Sequence, residues 1–297
     1  MVITAPRRFV SAFVTAGALV LLPAGKAEAV DFSYIDNGLP QTYIIPTTGL
    51  YEITAVGADC GAGNLGAIAG GTGATTVGTF QLNAGTQLDI VVAGVGLDGW
   101  SDRAGGGGGG SYVVLNIGDV PLVVAGGGGG GSNQSFEEGG GGLAFQTGGN
   151  TTDGGQSQGT QGGGGGGGFV GNGDNNIGTS LNAEGGSSYL NAALGGNGPG
   201  PGTTGQGGFG GGGGGYFSGG GGGGYFGGDS GELFDVVGGN GGGSFLAAEA
   251  IEPLSTAGLG GAGTGSNGSV SVVLVPEPST LVPFAMCGLL VMRRRRG

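Results

Sequence analysis

GGFGGGGGGYFSGGGGGGYFGG, residues 207–228, sets the reading of the chain. Two six-glycine runs stand three residues apart, and each is followed by a Tyr-Phe pair. Uninterrupted runs also begin at Gly105, Gly126, Gly139 and Gly162, besides those beginning at Gly210 and Gly219. No side chain in such a run can be buried, so no ordinary core forms there. Each residue still carries an N–H and a C=O that need partners. Two readings compete. Glycine-rich composition without a period describes a flexible linker. Alternatively, the runs form a packed bundle of extended, threefold helices of the polyglycine II type. A helix of this class has no internal hydrogen bonds, and only its all-glycine form can approach neighbours closely enough to bond to them laterally.

Magnitudes favour the bundle on one condition. Ordering a glycine costs roughly 0.5–1 kcal/mol more than ordering an alanine. A paired amide returns about 0.5–1.5 kcal/mol net. The array is therefore favourable only when nearly all its amides are paired, which makes it cooperative. Most runs hold six or seven glycines, a span of about 19–22 Å at roughly 3.1 Å per residue. Matched lengths suit side-by-side packing and serve no purpose in a linker.

Of 297 residues, 86 are glycine and only 9% are charged, with a mean hydropathy of +0.17. Disordered chains combine low hydrophobicity with high charge; this one has enough Val, Ile, Leu and Phe for one modest core. Between Val30 and Val275 the only basic residue is Arg103, against 18 acids. Nucleic acid is an unsuitable partner for such a surface, whose simplest consequence is solubility. Cys60 and Cys287 are the only cysteines, and Cys287 falls in the C-terminal signal described below. Cys60 is then a lone thiol in the mature domain, with no disulfide framework.

The N-terminus reads as a secretion signal, residues 1–29. Arg7 and Arg8 precede an apolar stretch, 9–22, and Ala27-Glu28-Ala29 fits the small-x-small rule for signal peptidase. The mature chain would start at Val30. Eight strands are expected at 41–45, 50–56, 75–82, 87–93, 112–115, 122–125, 245–248 and 269–275, from period-two alternation and turn residues between them. No segment outside the two ends has a sustained helical period, so helices are expected only in the two signal segments. The expected fold is all-β over 30–275: a sandwich or jelly-roll, with a glycine-rich insertion at roughly 126–243 packed beside or between its sheets.

Residues 40–275 resemble the extracellular glycine-rich domain of the anaplastic lymphoma kinase and leukocyte tyrosine kinase receptors. The stretches that carry the likeness are PTTGLYEITAVG (46–57), RAGGGGGGSYVVL (103–115), PLVVAGGGGGG (121–131) and 207–228. The resemblance implies a β-sandwich carrying a polyglycine helix bundle. The sequence departs from the receptors at Tyr216, where they have a cysteine. It also lacks any Val-Ala-Ile-Lys, His-Arg-Asp or Asp-Phe-Gly element, so a kinase activity does not carry over. The receptors' cytokine binding does not carry over either, since its contact residues do not map onto this sequence.

The C-terminus, 276–297, resembles a PEP-CTERM sorting tail: Pro276-Glu277-Pro278, an apolar segment at 281–292, then Arg293, Arg294, Arg295 and Arg296. The resemblance implies a Gram-negative bacterium whose exosortase cuts near the motif. Twelve apolar residues are short for a stable span, and the arginines would face the cytoplasm. A plain C-terminal membrane anchor is the alternative. Membrane contact is expected only through this segment before processing.

Chemistry-bearing groups are scarce. The chain has no histidine, which removes His-based triads, acid–base pairs and metal sites. No lysine lies between Val30 and Val275, so there is no P-loop. No catalytic residue and no cofactor is assigned. One weak metal candidate is Asp174, in a Gly-Asn-Gly-Asp-Asn-Asn stretch that half-resembles a calcium-binding turn. The aromatics that punctuate the glycine runs, Phe169, Phe209, Tyr216, Phe217, Tyr225 and Phe226, are expected to cap run ends and pack on the β domain; exposed, they would instead bind sugar or a partner. Taken together, the expected protein is a non-enzymatic, exported protein of the cell envelope, surface or extracellular matrix. Its role would be structural or adhesive in an exopolysaccharide-rich layer. The alternative is a binding module for a protein, peptide or glycan.

Overall fold

The computed structural model describes residues 29–35, 39–133, 137–144, 153–159, 161–176, 182–200, 202, 204–232 and 237–276. The proposed processing residues Ala27, Glu277, Pro278 and Arg293 to Arg296 lie outside these, as do both apolar signal segments.

The chain is all-β, in two antiparallel five-stranded sheets. The strands are β1 (Ala29–Ser33), β2 (Gln41–Ile44), β3 (Gly49–Val56), β4 (Thr75–Leu82), β5 (Gln87–Val91), β6 (Ser111–Leu115), β7 (Val120–Ala125), β8 (Phe245–Leu246), β9 (Ile251–Thr256) and β10 (Ser269–Val275). The first sheet has the order β1-β10-β3-β4-β9 and the second β2-β5-β6-β7-β8. The only helix among the described residues is a 3-10 turn, Tyr189–Asn191. No described helix is long and apolar enough to cross a membrane.

Burial patterns explain why these residues make strands. In β3, Tyr51, Ile53 and Ala55 are buried while Glu52 is exposed, the alternation of a sheet covered on one face. Central strands of the second sheet read instead as apolar runs, SYVVL and VPLVVA. Their two faces are both covered. Leu88, Ile90, Val113 and Val123 join Tyr51, Ile53, Phe80, Val270 and Val272 in the core between the sheets. Val91, Tyr112, Val114 and Val124 face a second cluster with Phe169 and Ala193.

Two turns that look like hairpins are not. Residues 46–49 and 83–86 connect β2 to β3 and β4 to β5, and in each case the chain changes sheet. The turn at 116–119 does close a hairpin, β6 to β7. Two edge strands were not expected from the sequence, β1 and β9. Neither has a fully buried residue, because an edge of a half-covered sheet has little apolar surface to hide. The strand expected at 245–248 is only two residues long.

The glycine runs belong to neither sheet. They bond to one another. Gly105 and Gly108 donate to the carbonyls of Gly131 and Gly128, Gly106 and Gly109 to those of Leu97 and Gly94, and Gly107 and Gly110 to those of Gly213 and Gly210. Donors three residues apart thus face one neighbour, and successive donors face three different neighbours. The network reaches beyond the 126–243 insertion expected from sequence. Residues 57–61, 70–74 and 93–97 also take part, as do 258–263 at the edge.

Candidate functional site

Run 219–224 lies at the centre of this array. Gly220 and Gly223 donate to Gly105 and Gly108, Gly221 and Gly224 to Gly164 and Gly167, and Gly219 and Gly222 to Val237 and Asn240. Its carbonyls accept from Gly130 and Gly127, from Gly231 and Gly228, and from Gly213. One run therefore bonds to six other segments, four of them glycine runs, where a β-strand can pair with only two. All six amides of the runs at 105–110, 126–131, 210–215 and 219–224 are donated. Gly105, Gly126, Gly210 and Gly219 each open one of these runs, and Gly162 opens a fifth whose amides from Gly163 to Gly168 are donated as well. A Cβ added at Gly105, Gly126, Gly162, Gly210 or Gly219 would overlap a neighbouring backbone carbonyl.

Where the lattice ends, serines complete it. Ser111, Ser218 and Ser244 are buried, and each directly follows or precedes a glycine run; Ser230 is buried beside the single Gly231. The Ser218 hydroxyl donates to Gly231 O (2.7 Å) and accepts from Gly163 N (3.0 Å). That of Ser244 donates to Leu143 O (2.7 Å) and accepts from Gly126 N (3.1 Å). Serine is small enough for the space and supplies one donor and one acceptor. Sequence reading passed over these serines, although their position beside the runs was the available signal. At the outer edge, the buried Asp59 carboxylate accepts from Thr264 N (2.9 Å), Thr264 Oγ1 (3.0 Å), Ser266 N (3.2 Å) and Gly73 N (3.4 Å), tying 264–266 to the array.

The two Tyr-Phe pairs occupy different settings. Tyr216 is buried and Phe217 half-buried, with rings 4.4 Å apart. The Arg103 guanidinium sits 4.6 Å from both ring centroids, so the domain's one cation is held by two aromatic faces. Tyr225 stacks on Phe245 at 4.3 Å and lies 5.9 Å from Phe169, which in turn stacks on Tyr189 at 4.9 Å. These rings cover the outer face of the second sheet. Phe226 packs its ring over Gly243 and lines an open cleft with Asp153 and Asp229. Tyr112 joins sheet to array: its buried hydroxyl donates to Gly224 O (2.9 Å) and approaches Gly210 O (3.3 Å). Burial raises the pKa of this phenol, and likewise that of Tyr189.

Among the described residues, reactive groups are not gathered. The Cys60 thiol is buried, donates to Gly71 O (3.1 Å), and is pushed up in pKa by burial and then by Asp59. A thiol held protonated is a poor nucleophile. Among the described residues, no group of three or more His, Cys, Asp or Glu side chains is placed to hold a metal. Asp174 is exposed, and its backbone belongs to the array, bonded to Gly155 O and Gly165 N. The neighbouring amide oxygens of Asn172 and Asn175 accept from Ser188 N and Gly185 N, both at 2.8 Å. Millimolar calcium is therefore expected to leave the melting temperature unchanged. A saturable rise of several degrees that Asp174→Ala abolishes would refute this.

Ala29 pairs with Val273 at the start of β1, and Pro276 follows the end of β10. The points where both proposed signals join the domain are thus adjacent strand ends at one edge of the first sheet. A scan of protein-family models and a search of curated proteins both find nothing that matches the chain.

Proposed function

We propose that this is a secreted, non-enzymatic protein of a bacterial cell surface or extracellular matrix, with a structural or adhesive role in an exopolysaccharide-rich layer. In this reading the glycine runs are polyglycine II-type helices packed as a bundle on a jelly-roll-like sandwich. The observation that carries it is the saturated array. Six-neighbour contact with every amide of four runs donated makes a rigid block, and the threefold alternation of donors fits a helix of three residues per turn. A rigid, acidic domain with no gathered reactive groups suits a load-bearing or displayed role better than catalysis. Export by signal peptidase and release by exosortase are proposed from the two terminal signals, whose junctions share one edge of the domain. The host would be a Gram-negative bacterium.

Mass spectrometry of the matrix fraction of producing cells tests this. The expected species starts near Val30 and has lost residues 281–297. A mature protein that keeps Arg293 to Arg296 in the membrane fraction would replace exosortase handling with a permanent anchor. A cytoplasmic protein with residues 1–29 intact would overturn the assignment.

A further inference from the structure

Between the edge of the sandwich and the glycine array runs an open groove of about 650 Å³. From the sandwich side come Tyr34 and Asn267, and from the array side Asn197, Gln206, Phe209 and Leu194. The Tyr34 and Phe209 rings lie 6.4 Å apart at 49°, and both are half-buried, so each keeps part of its surface open. The three carboxamides are only partly engaged. Asn267 Oδ1 accepts from Val95 N (2.8 Å), and its Nδ2 has no partner among the described residues. Asn197 Nδ2 donates to Glu184 Oε2 (2.7 Å), and its Oδ1 has no partner among the described residues. Gln206 uses its backbone carbonyl for Leu97 N, and its side-chain amide makes no hydrogen bond among the described residues. None of the described residues that line the groove is charged, although the domain around it is strongly acidic.

We propose that this groove binds a neutral glycan. Ring faces offer apolar surface to the C–H face of a pyranose, and a carboxamide matches the paired donor and acceptor of vicinal hydroxyls. The volume suits one to a few sugar units rather than a protein surface. Absence of lysine and arginine from the walls leaves nothing to pair with a uronate or sulfate, and the surrounding acidity repels them. The proposal rests on the matrix reading above and names the class of polymer it would hold.

The test is affinity electrophoresis of the mature domain through native gels containing laminarin, dextran or galactomannan, with alginate as the acidic comparison. At least one neutral polymer is expected to retard the protein, and alginate is not. Gln206→Ala and Phe209→Ala should each weaken that retardation about tenfold. Phe209 also packs on the second aromatic cluster, so Gln206→Ala, whose side chain supports nothing else, decides if Phe209→Ala fails to fold. Retardation by alginate alone, or by no polymer, overturns the groove. Neutral-polymer binding that Gln206→Ala leaves unchanged also overturns it, and places the contact elsewhere on a protein whose matrix role stands. Finding the protein outside the matrix fraction while Gln206→Ala still abolishes laminarin binding would sink the matrix role and keep the groove.

Discussion

Gly213→Val is expected to lower the stability of the domain by about 3–4 kcal/mol. Gly213 donates to Gly221 O (2.8 Å), and its own carbonyl accepts from Gly107 N (2.9 Å). A Cβ there would overlap the Gly164 carbonyl and lie 2.7 Å from Gly165 O. Valine must therefore push the run at 210–215 away from the one at 162–168. Those two share the bonds Gly164 N to Gly214 O and Gly167 N to Gly211 O. Their neighbours must shift as well, because each run is held on several sides at once. At about 1 kcal/mol per amide pair, three or four failures give the stated loss. A suitable control is Gly202→Asn. Gly202 has open space around a would-be Cβ but a φ of +72°, a backbone that asparagine tolerates and valine does not. Thermal unfolding of both variants is the measurement. If Gly213→Val melts with the control and the wild type, the runs are not packed and the bundle reading fails.

The second large effect is expected at Tyr112. Truncation to alanine empties a fully buried ring site and should cost about 3–5 kcal/mol. Tyr112→Phe keeps the ring and removes only the hydroxyl, leaving Gly224 O without its 2.9 Å donor. A loss of about 1–3 kcal/mol follows from the orphaned buried acceptor. The phenol also sets an alkaline limit. Its folded pKa is raised, first by burial, so its contribution is whole below about pH 10, where the unfolded phenol starts to ionise. Above that pH the unfolded chain releases a proton that the folded one keeps, and stability falls. Tyr112→Phe should lose less stability than wild type between about pH 10 and 11.5. Some slope remains, because the raised pKa values of Tyr189 and Cys60 act in the same sense. Equal urea midpoints for Tyr112→Phe and wild type at neutral pH would show that the hydroxyl does not join sheet to array.

Much of the architecture was open to sequence reading because it depends on local composition. Alternation in LYEITAV marks a half-covered strand whatever it pairs with. An unbroken glycine run excludes a side-chain core and demands lateral amide partners wherever it lies. Apolar runs such as YVVL also carried a signal, covering on both faces, that only the aromatic layer of Phe169, Tyr189 and Tyr225 made concrete.

Partnership is what the tertiary structure decided. Turns at 46–49 and 83–86 have hairpin chemistry, but the strands they join lie in different sheets, because a turn directs the chain over a few residues and does not choose the strand it meets. Residues 57–62, GADCGA, would not be read as part of a glycine array from their composition. They fit because only positions facing another run must lack a side chain: Gly57 and Gly61 cannot accept a Cβ, while Asp59 points outward to Thr264. Likewise Tyr34, Gln206 and Asn267 are more than 60 residues apart in sequence and meet in one groove. Period and composition report the surroundings each residue needs. Which distant segment supplies them is settled by lateral hydrogen bonds between runs with nearly identical sequences, and these can be told apart only by the strands and turns that hold each run in its place.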